Sequence, residues 1–209
     1  MSVDYFTRVQ ASNGWQRILE SFTRFVEPRT GQHTLDVGCG PGALVRAFAN
    51  KGCLAVGVDS DAIMVRRAKT LAKGLTHASF RAGNVLALDF PDNAFDLVTA
   101  TNVIFLLPDP AKGLAEMARV CRPGGWVAVL NPSPMFSRAA AQAHAQALNL
   151  EEFDVESLFN WGALAEAHHR LSAEDLTYAY STCGLEPPLI AEKIGPGLAL
   201  FAKGQKVGK

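Results

Sequence analysis

Leu35-Asp36-Val37-Gly38-Cys39-Gly40-Pro41-Gly42 decides the fold of this chain. Apolar residues with one acid run directly into three alternating glycines, and an apolar helical pattern starts at Ala43. That order reads as a strand, a tight loop and a helix start. Glycine lets the backbone take positive φ and lets a ligand lie against bare main chain. Asp36 narrows the ligand. A loop holding a pyrophosphate needs its free N–H groups and helix dipole unopposed. A carboxylate two residues before the first glycine repels a diphosphate and attracts a cationic amine. Two other readings stay open at the octapeptide itself. Gly38, Gly40 and Ala43 also satisfy the dinucleotide pattern G-x-G-x-x-G/A, and a glycine-rich turn can simply join a strand to a helix.

Strand and helix signals alternate outward from this loop, which predicts a mostly parallel sheet with helices on both faces. The strands are His33–Val37, Leu54–Val58 ending at Asp59, Ser79–Ala82, Phe95–Ala100 and Trp126–Leu130. Between them, helices are predicted over Ala43–Lys51, Ala62–Lys73 and Pro110–Cys121, the last stopped by Pro123 and Gly124. Before the sheet, Gly14–Phe25 is an amphipathic helix within an N-terminal cover, residues 1–30. After Asn131, prolines break the chain, and residues 132–171 form a long connection with a helix over Ala139–Leu148. A connection of that length is usually functional rather than a simple crossover. Ser172–Cys183 reads as a capped helix stopped by Gly184, and two strands follow, Leu189–Ile194 and Leu198–Ala202, joined by Gly195-Pro196-Gly197 as an antiparallel hairpin. The whole chain, 1–209, is expected to be a single domain.

Asp59 is the second informative residue. A strand, loop, helix, strand sequence brings Asp59 beside the glycine loop, because neighbouring strands lie about 4.8 Å apart. There its carboxylate can accept from both hydroxyls of a ribose. This supports an adenosine ligand and does not choose between cofactors. Its alternative role, capping the next helix, can be filled by Ser60 or Asp61.

Composition removes several function classes. The formal net charge is zero, from 20 basic and 20 acidic residues, and no long basic run appears. Nucleic-acid binding is therefore not expected. No apolar run is long enough for a membrane span, and the start of the chain lacks a signal-peptide pattern. Cys39, Cys53, Cys121 and Cys183 are scattered without a C-x-x-C pair, as in a reducing compartment, so a cytoplasmic location is expected. The histidines share no ligand spacing; adjacent His168 and His169 point about 100° apart on a helix, and no metal is expected.

Four segments together resemble the class I S-adenosylmethionine (SAM)-dependent methyltransferases, in particular the small-molecule group of the ubiquinone and menaquinone biosynthesis enzymes. They are the glycine loop, Arg81-Ala82-Gly83-Asn84-Val85, Leu88-Asp89-Phe90-Pro91-Asp92-Asn93-Ala94-Phe95-Asp96-Leu97-Val98, and Leu114-Ala115-Glu116-Met117-Ala118-Arg119-Val120-Cys121-Arg122-Pro123-Gly124-Gly125. Their order and spacing match over roughly residues 33 to 131. The resemblance implies a Rossmann-like, doubly wound seven-stranded α/β sheet of order 3-2-1-4-5-7-6, with strand 7 antiparallel. It implies SAM as cofactor and S-adenosylhomocysteine as product. The implied cofactor residues are Asp36, Gly38, Cys39, Gly40, Gly42, Asp59, Ser60, Met64, Asn84, Val85, Thr101 and Asn102. Asn84 stands where relatives commonly carry Asp for the adenine amine, and Val85 and Met64 would cover the ring. Relatives often carry a histidine after the fourth strand; here the run is Thr101 to Leu107, and no proton acceptor replaces it. The acceptor is expected to be a small, at least partly apolar molecule, bound by aromatics of the N-terminal cover, the run after the fourth strand and the 132–171 lid: Tyr5, Trp15, Phe105, Phe136, Phe159 and Trp161. A SAM-binding protein without turnover and a nucleotide-dependent oxidoreductase are the rival readings. The oligomeric state is not legible.

Overall fold

The computed structural model describes residues 2–208. Seven strands form one sheet: β1 (His33–Val37), β2 (Leu54–Asp59), β3 (Ala78–Ala82), β4 (Phe95–Thr101), β5 (Cys121–Pro132), β6 (Leu189–Lys193) and β7 (Ala199–Gln205). Their order is β3-β2-β1-β4-β5-β7-β6. The first five are mutually parallel, and β7 runs antiparallel to both β5 and β6. The expected topology is therefore present, including the closing hairpin, in which Lys193 pairs with Ala199.

Side chains alternate across the sheet with the two-residue period of a strand. In β5, Ala128 and Leu130 face one apolar layer and Val127 and Val129 the other. The first layer is covered by α2 (Asn13–Val26), α3 (Ala43–Asn50), α4 (Ala62–Leu71), α6 (Arg138–Ala147) and α7 (Glu152–Ala167). The second is covered by α5 (Pro110–Val120) and α8 (Ala173–Thr182). Phe22, Phe48 and Phe201 are fully buried in the first layer, and each such ring contributes about 1.5–3 kcal/mol. In the second, buried Tyr180 turns its hydroxyl to the Val127 and Ala202 carbonyls (3.3 and 3.2 Å), so the ring is buried without stranding its polar tip.

The helix ends follow local chemistry. Ser12 caps α2 at Trp15 N–H, Asp61 caps α4 at Ile63 N–H, and Ser172 with Asp175 forms a reciprocal capping box on α8. Three elements differ from the sequence-based reading. An additional helix, α1 (Val3–Ala11), precedes α2. Strand β5 begins five residues early, at Cys121, because Gly124 N–H and Gly125 C=O both bond to Lys206 across the sheet. The connection 132–171 carries a second helix, α7, packed on α6. Gly162 permits that close crossing: a Cβ there would lie 2.7 Å from the Ser137 carbonyl oxygen.

Candidate cofactor and acceptor cleft

Strands β1, β2 and β4 end together. Val37 is level with Val58 and with Ala100, and at that edge the chain order reverses between β1 and β4. Clefts in doubly wound sheets form at such a switch point. A cavity of about 400 Å³ opens there, within the range of small-molecule sites.

The glycine loop forms its floor. Gly38, Gly40 and Gly42 all have positive φ, at 69°, 52° and 83°. Gly38 also has no room for a side chain, since its Cβ would meet Val103 Cγ2 at 2.1 Å. The loop is tied to β2: Gly38 and Cys39 N–H both donate to the Val58 carbonyl, and Gly40 N–H donates to Asp59 Oδ2 at 2.8 Å. The second Asp59 oxygen accepts from Asp61 N–H at 2.9 Å. Burial pushes the Asp59 carboxyl above its usual range, against these two hydrogen bonds.

Helix α3 has no capping side chain at Gly42. The cap comes from α1 instead. Gln10 Oε1 accepts from Ala43 N–H at 2.9 Å, and its Nε2 donates to the Cys39 carbonyl at 3.2 Å. One amide thus fastens the N-terminal helix over the glycine loop and occupies the helix end at which a pyrophosphate would sit. Nothing local in the sequence marks Gln10 for this, because the contact spans 33 residues.

Beneath the loop, Asp36 is buried and accepts from Thr99 Oγ1 at 2.9 Å. Burial drives its pKa up to about 7, and the Asp59 charge pushes the same way. Asn102 sits after β4 in a left-handed conformation, φ 58°, and its buried Oδ1 has no partner among the described residues.

The cavity gathers some of the expected residues and leaves out others. Gly38, Gly40, Asp59, Ser60, Met64, Thr101 and Asn102 line it, as do Tyr5, Trp15, Phe105 and Trp161. Asp36, Cys39 and Gly42 lie behind its wall. Val85 belongs to the opposite apolar layer, and Asn84 is exposed, its Oδ1 accepting from Leu86 N–H at 2.9 Å. Phe136 is fully buried behind Trp161, ring centroids 4.7 Å apart, and supports that ring rather than meeting the cavity. Phe159 is 40% exposed on the outer side of α7. The α7 residues that line the cleft are Ser157, Asn160, Trp161 and Leu164, an i, i+3, i+4, i+7 stripe that leaves Phe159 out. Residues that the sequence did not single out complete the wall, chiefly Gln10, Ser157 and Asn160. Asn160 Nδ2 donates to Tyr5 Oη at 3.1 Å, joining α7 to α1. Among the described residues no group of three acids, histidines or cysteines is placed to hold a metal.

The family described as "Methyltransferase domain" matches residues 35–129. That stretch is similar to a methyltransferase domain. Beyond that match, the chain is 38% identical over 103 residues to the ubiquinone biosynthesis O-methyltransferase of Paracidovorax citrulli, covering 48% of this chain and 43% of that one. It is 39% identical over 114 residues to the nocamycin O-methyltransferase of Saccharothrix syringae, covering 52% and 41%. The chain spans less than half the length of these curated relatives. A solved SAM-dependent methyltransferase from Mesorhizobium loti superposes with a TM-score of 0.71 at 16% identity, covering 95% of this chain and 100% of that one. The matched stretch thus runs from β1 through the glycine loop to β5, and the sheet continues through the β6–β7 hairpin. Among the described residues, no helix is long and apolar enough to cross a membrane.

Proposed function

We propose that this protein binds SAM in the cleft and transfers its methyl group to a small, partly apolar acceptor. The single observation that carries this reading is the cleft itself: positive-φ glycines and Asp59 at one end, aromatic side chains at the other, in one cavity. SAM supplies an activated methyl group on a sulfonium. The residues present suit it. Asp59 is placed for the ribose hydroxyls, the bare glycine loop for close approach of the ligand backbone, and Met64 for the adenine face. The unpartnered Asn102 oxygen is an acceptor for an ammonium group. Gln10 at the α3 terminus leaves a diphosphate poorly served, which disfavours the oxidoreductase reading.

The chain's own work is alignment and exclusion of water. Trp15, Phe105 and Trp161 wall the acceptor side, and aromatic faces stabilise a sulfonium by cation–π contact. Holding two reactants in line can account for several kcal/mol of barrier, up to roughly 7–11 in favourable systems. Calorimetric titration with SAM and with NADH, followed by mass-spectrometric detection of S-adenosylhomocysteine after incubation with SAM and a metabolite extract, tests the reading. Binding of NADH without SAM overturns it. A second reading, SAM binding without turnover, draws support from the aromatic end, where Tyr5 is the ionisable side chain among the described lining residues. Formation of S-adenosylhomocysteine separates the two.

A further inference from the structure

The cleft's polar inventory restricts the acceptor. Among the described residues, the ionisable side chains lining it are Asp59, Asp61 and Tyr5. Asp59 has both oxygens on backbone N–H groups beside the glycine loop, and Asp61 caps α4 through Ile63 N–H. Both therefore serve the cofactor end. Among the described lining residues there is no lysine, arginine or histidine, so nothing there would pair with a carboxylate or phosphate that keeps its charge through the reaction, whereas an anion that takes up the methyl group is neutralised by the transfer.

At the other end, α1 and α7 face each other through Tyr5 and Asn160. The Asn160 amide donates to the phenol oxygen, and no described group accepts the phenol's own hydrogen. Glu156 and Asn160 of α7 are the groups that bear on Tyr5, while Arg8, one turn along α1, is held over the Phe153 ring at 3.8 Å. Burial and Glu156 raise the phenol above its ordinary value against the Asn160 hydrogen bond, so it stays protonated near neutral pH. It is a donor there and not a base.

Resting on the methyltransferase reading above, we propose that the acceptor is a small aromatic thiol or acidic aromatic hydroxyl without a carboxylate or phosphate, that it reaches the cleft as its own anion, and that Tyr5 anchors that anion. The acceptor loses its proton to water before transfer. Its sulfur or oxygen lone pair then forms a bond to the methyl carbon. The carbon–sulfonium bond breaks, its electron pair stays on the cofactor sulfur, and S-adenosylhomocysteine and the methylated acceptor result. The anion donates its electron density toward the methyl carbon while the Tyr5 hydroxyl holds it by one charge-assisted hydrogen bond. Trp15, Phe105 and Trp161 enclose the ring that carries it.

The test uses the full chain with thiophenol, 4-nitrothiophenol, phenol, 4-nitrophenol and benzyl alcohol, reading S-adenosylhomocysteine formation across pH 5 to 10. SAM affinity is measured separately by calorimetry. The expected result is turnover of the acidic acceptors and none of benzyl alcohol. The rising limb of kcat/KM moves to lower pH with the nitro substituent, following each acceptor's own ionisation. Tyr5→Phe lowers kcat/KM for these acceptors about tenfold, the scale of one lost hydrogen bond to a charged group, and leaves SAM affinity within about twofold. A rising limb fixed at one pH for every acceptor identifies a base on the protein and overturns the proposal. So does benzyl alcohol turned over as fast as the phenols, a Tyr5→Phe variant with unchanged kcat/KM, or SAM bound with no acidic acceptor methylated. Failure to bind SAM sinks the cofactor reading itself, and this proposal with it.

Discussion

Asp59 and Asp36 lie one strand apart and differ in what they face. Asp59 lines the cleft with its oxygens on two backbone N–H groups. Replacing it with alanine is expected to weaken SAM binding by about 1.5–3 kcal/mol, the range for a hydrogen bond to a charged group. Calorimetry reads the affinity, and circular dichroism shows the fold retained. Asp36 is buried beneath the loop, and its proton bears on stability. An unfolded aspartate titrates near about pH 3.9, and burial raises the folded value to about 7. The folded chain therefore holds this proton more tightly. That contribution is whole below about pH 4 and is lost as pH rises through 7. Asp36→Asn removes the loss, so denaturant midpoints measured from pH 4 to pH 8 should fall less steeply in the variant. In the role proposed for it Asp36 attracts the ammonium of SAM, so the same change should also weaken SAM binding. A variant that binds SAM as tightly as the parent or more tightly would contradict that role. The value of Asp36 was legible in the sequence as a charge next to glycines. Its burial against Thr99 was not, since Thr99 is 63 residues away.

At the scale of elements, the strands and most of the helices were legible because their patterns are local: apolar runs ending in glycine or acid, and helices started by Ser172 or Asp61. Helix α7 was not. It is apolar on several sides because it meets α6 on one face and the cleft on another, so no single period stands out across Glu152–Ala167. Helix α1 has no buried residue at all, and its place is held by Gln10, Tyr5 and the Asp4–Arg67 ion pair. These long-range contacts also explain why the site list gained Gln10 and Asn160 and lost Phe136 and Phe159: the aromatics were readable as a cluster, but their facing was not. Gln10→Ala should therefore cost stability like the loss of a helix cap, about 1 kcal/mol. Urea unfolding measures it, and protection of Ala43 in amide exchange should drop with it. Gly162→Val should be more severe, since the added carbons run into the Ser137 carbonyl. Thermal melting should show a lower midpoint, with the tryptophan fluorescence of the α6–α7 pair changed.

For the molecule as a whole, the resemblance supplied the sheet order and the residues supplied the ligand. The parallel core follows from alternating elements around one glycine loop, and the reversed strand 7 from the resemblance. The acceptor end is where the reading thinned, because it is assembled from residues 155 apart in sequence. Methyl transfer here should not need a metal ion, since no described cluster is suited to one and SAM needs no Lewis acid to release its methyl group. Dialysis against a chelator should leave the rate of S-adenosylhomocysteine formation unchanged; loss restored by one divalent ion would refute this.

The place of β7 has a consequence for how the chain is made. Strand β6 is synthesised first, yet its sheet partner is β7, which alone stands between it and β5. Residues 189–193 therefore have no neighbour to pair with until residues 199–205 have left the ribosome and docked. Until then the β5 edge, with its buried Val127 and Val129, is uncovered. Open edges of this kind invite pairing with other nascent chains. The period of greatest aggregation risk thus falls before β7 emerges, and a chain stalled just short of residue 199 should depend on chaperones more than one stalled after residue 205.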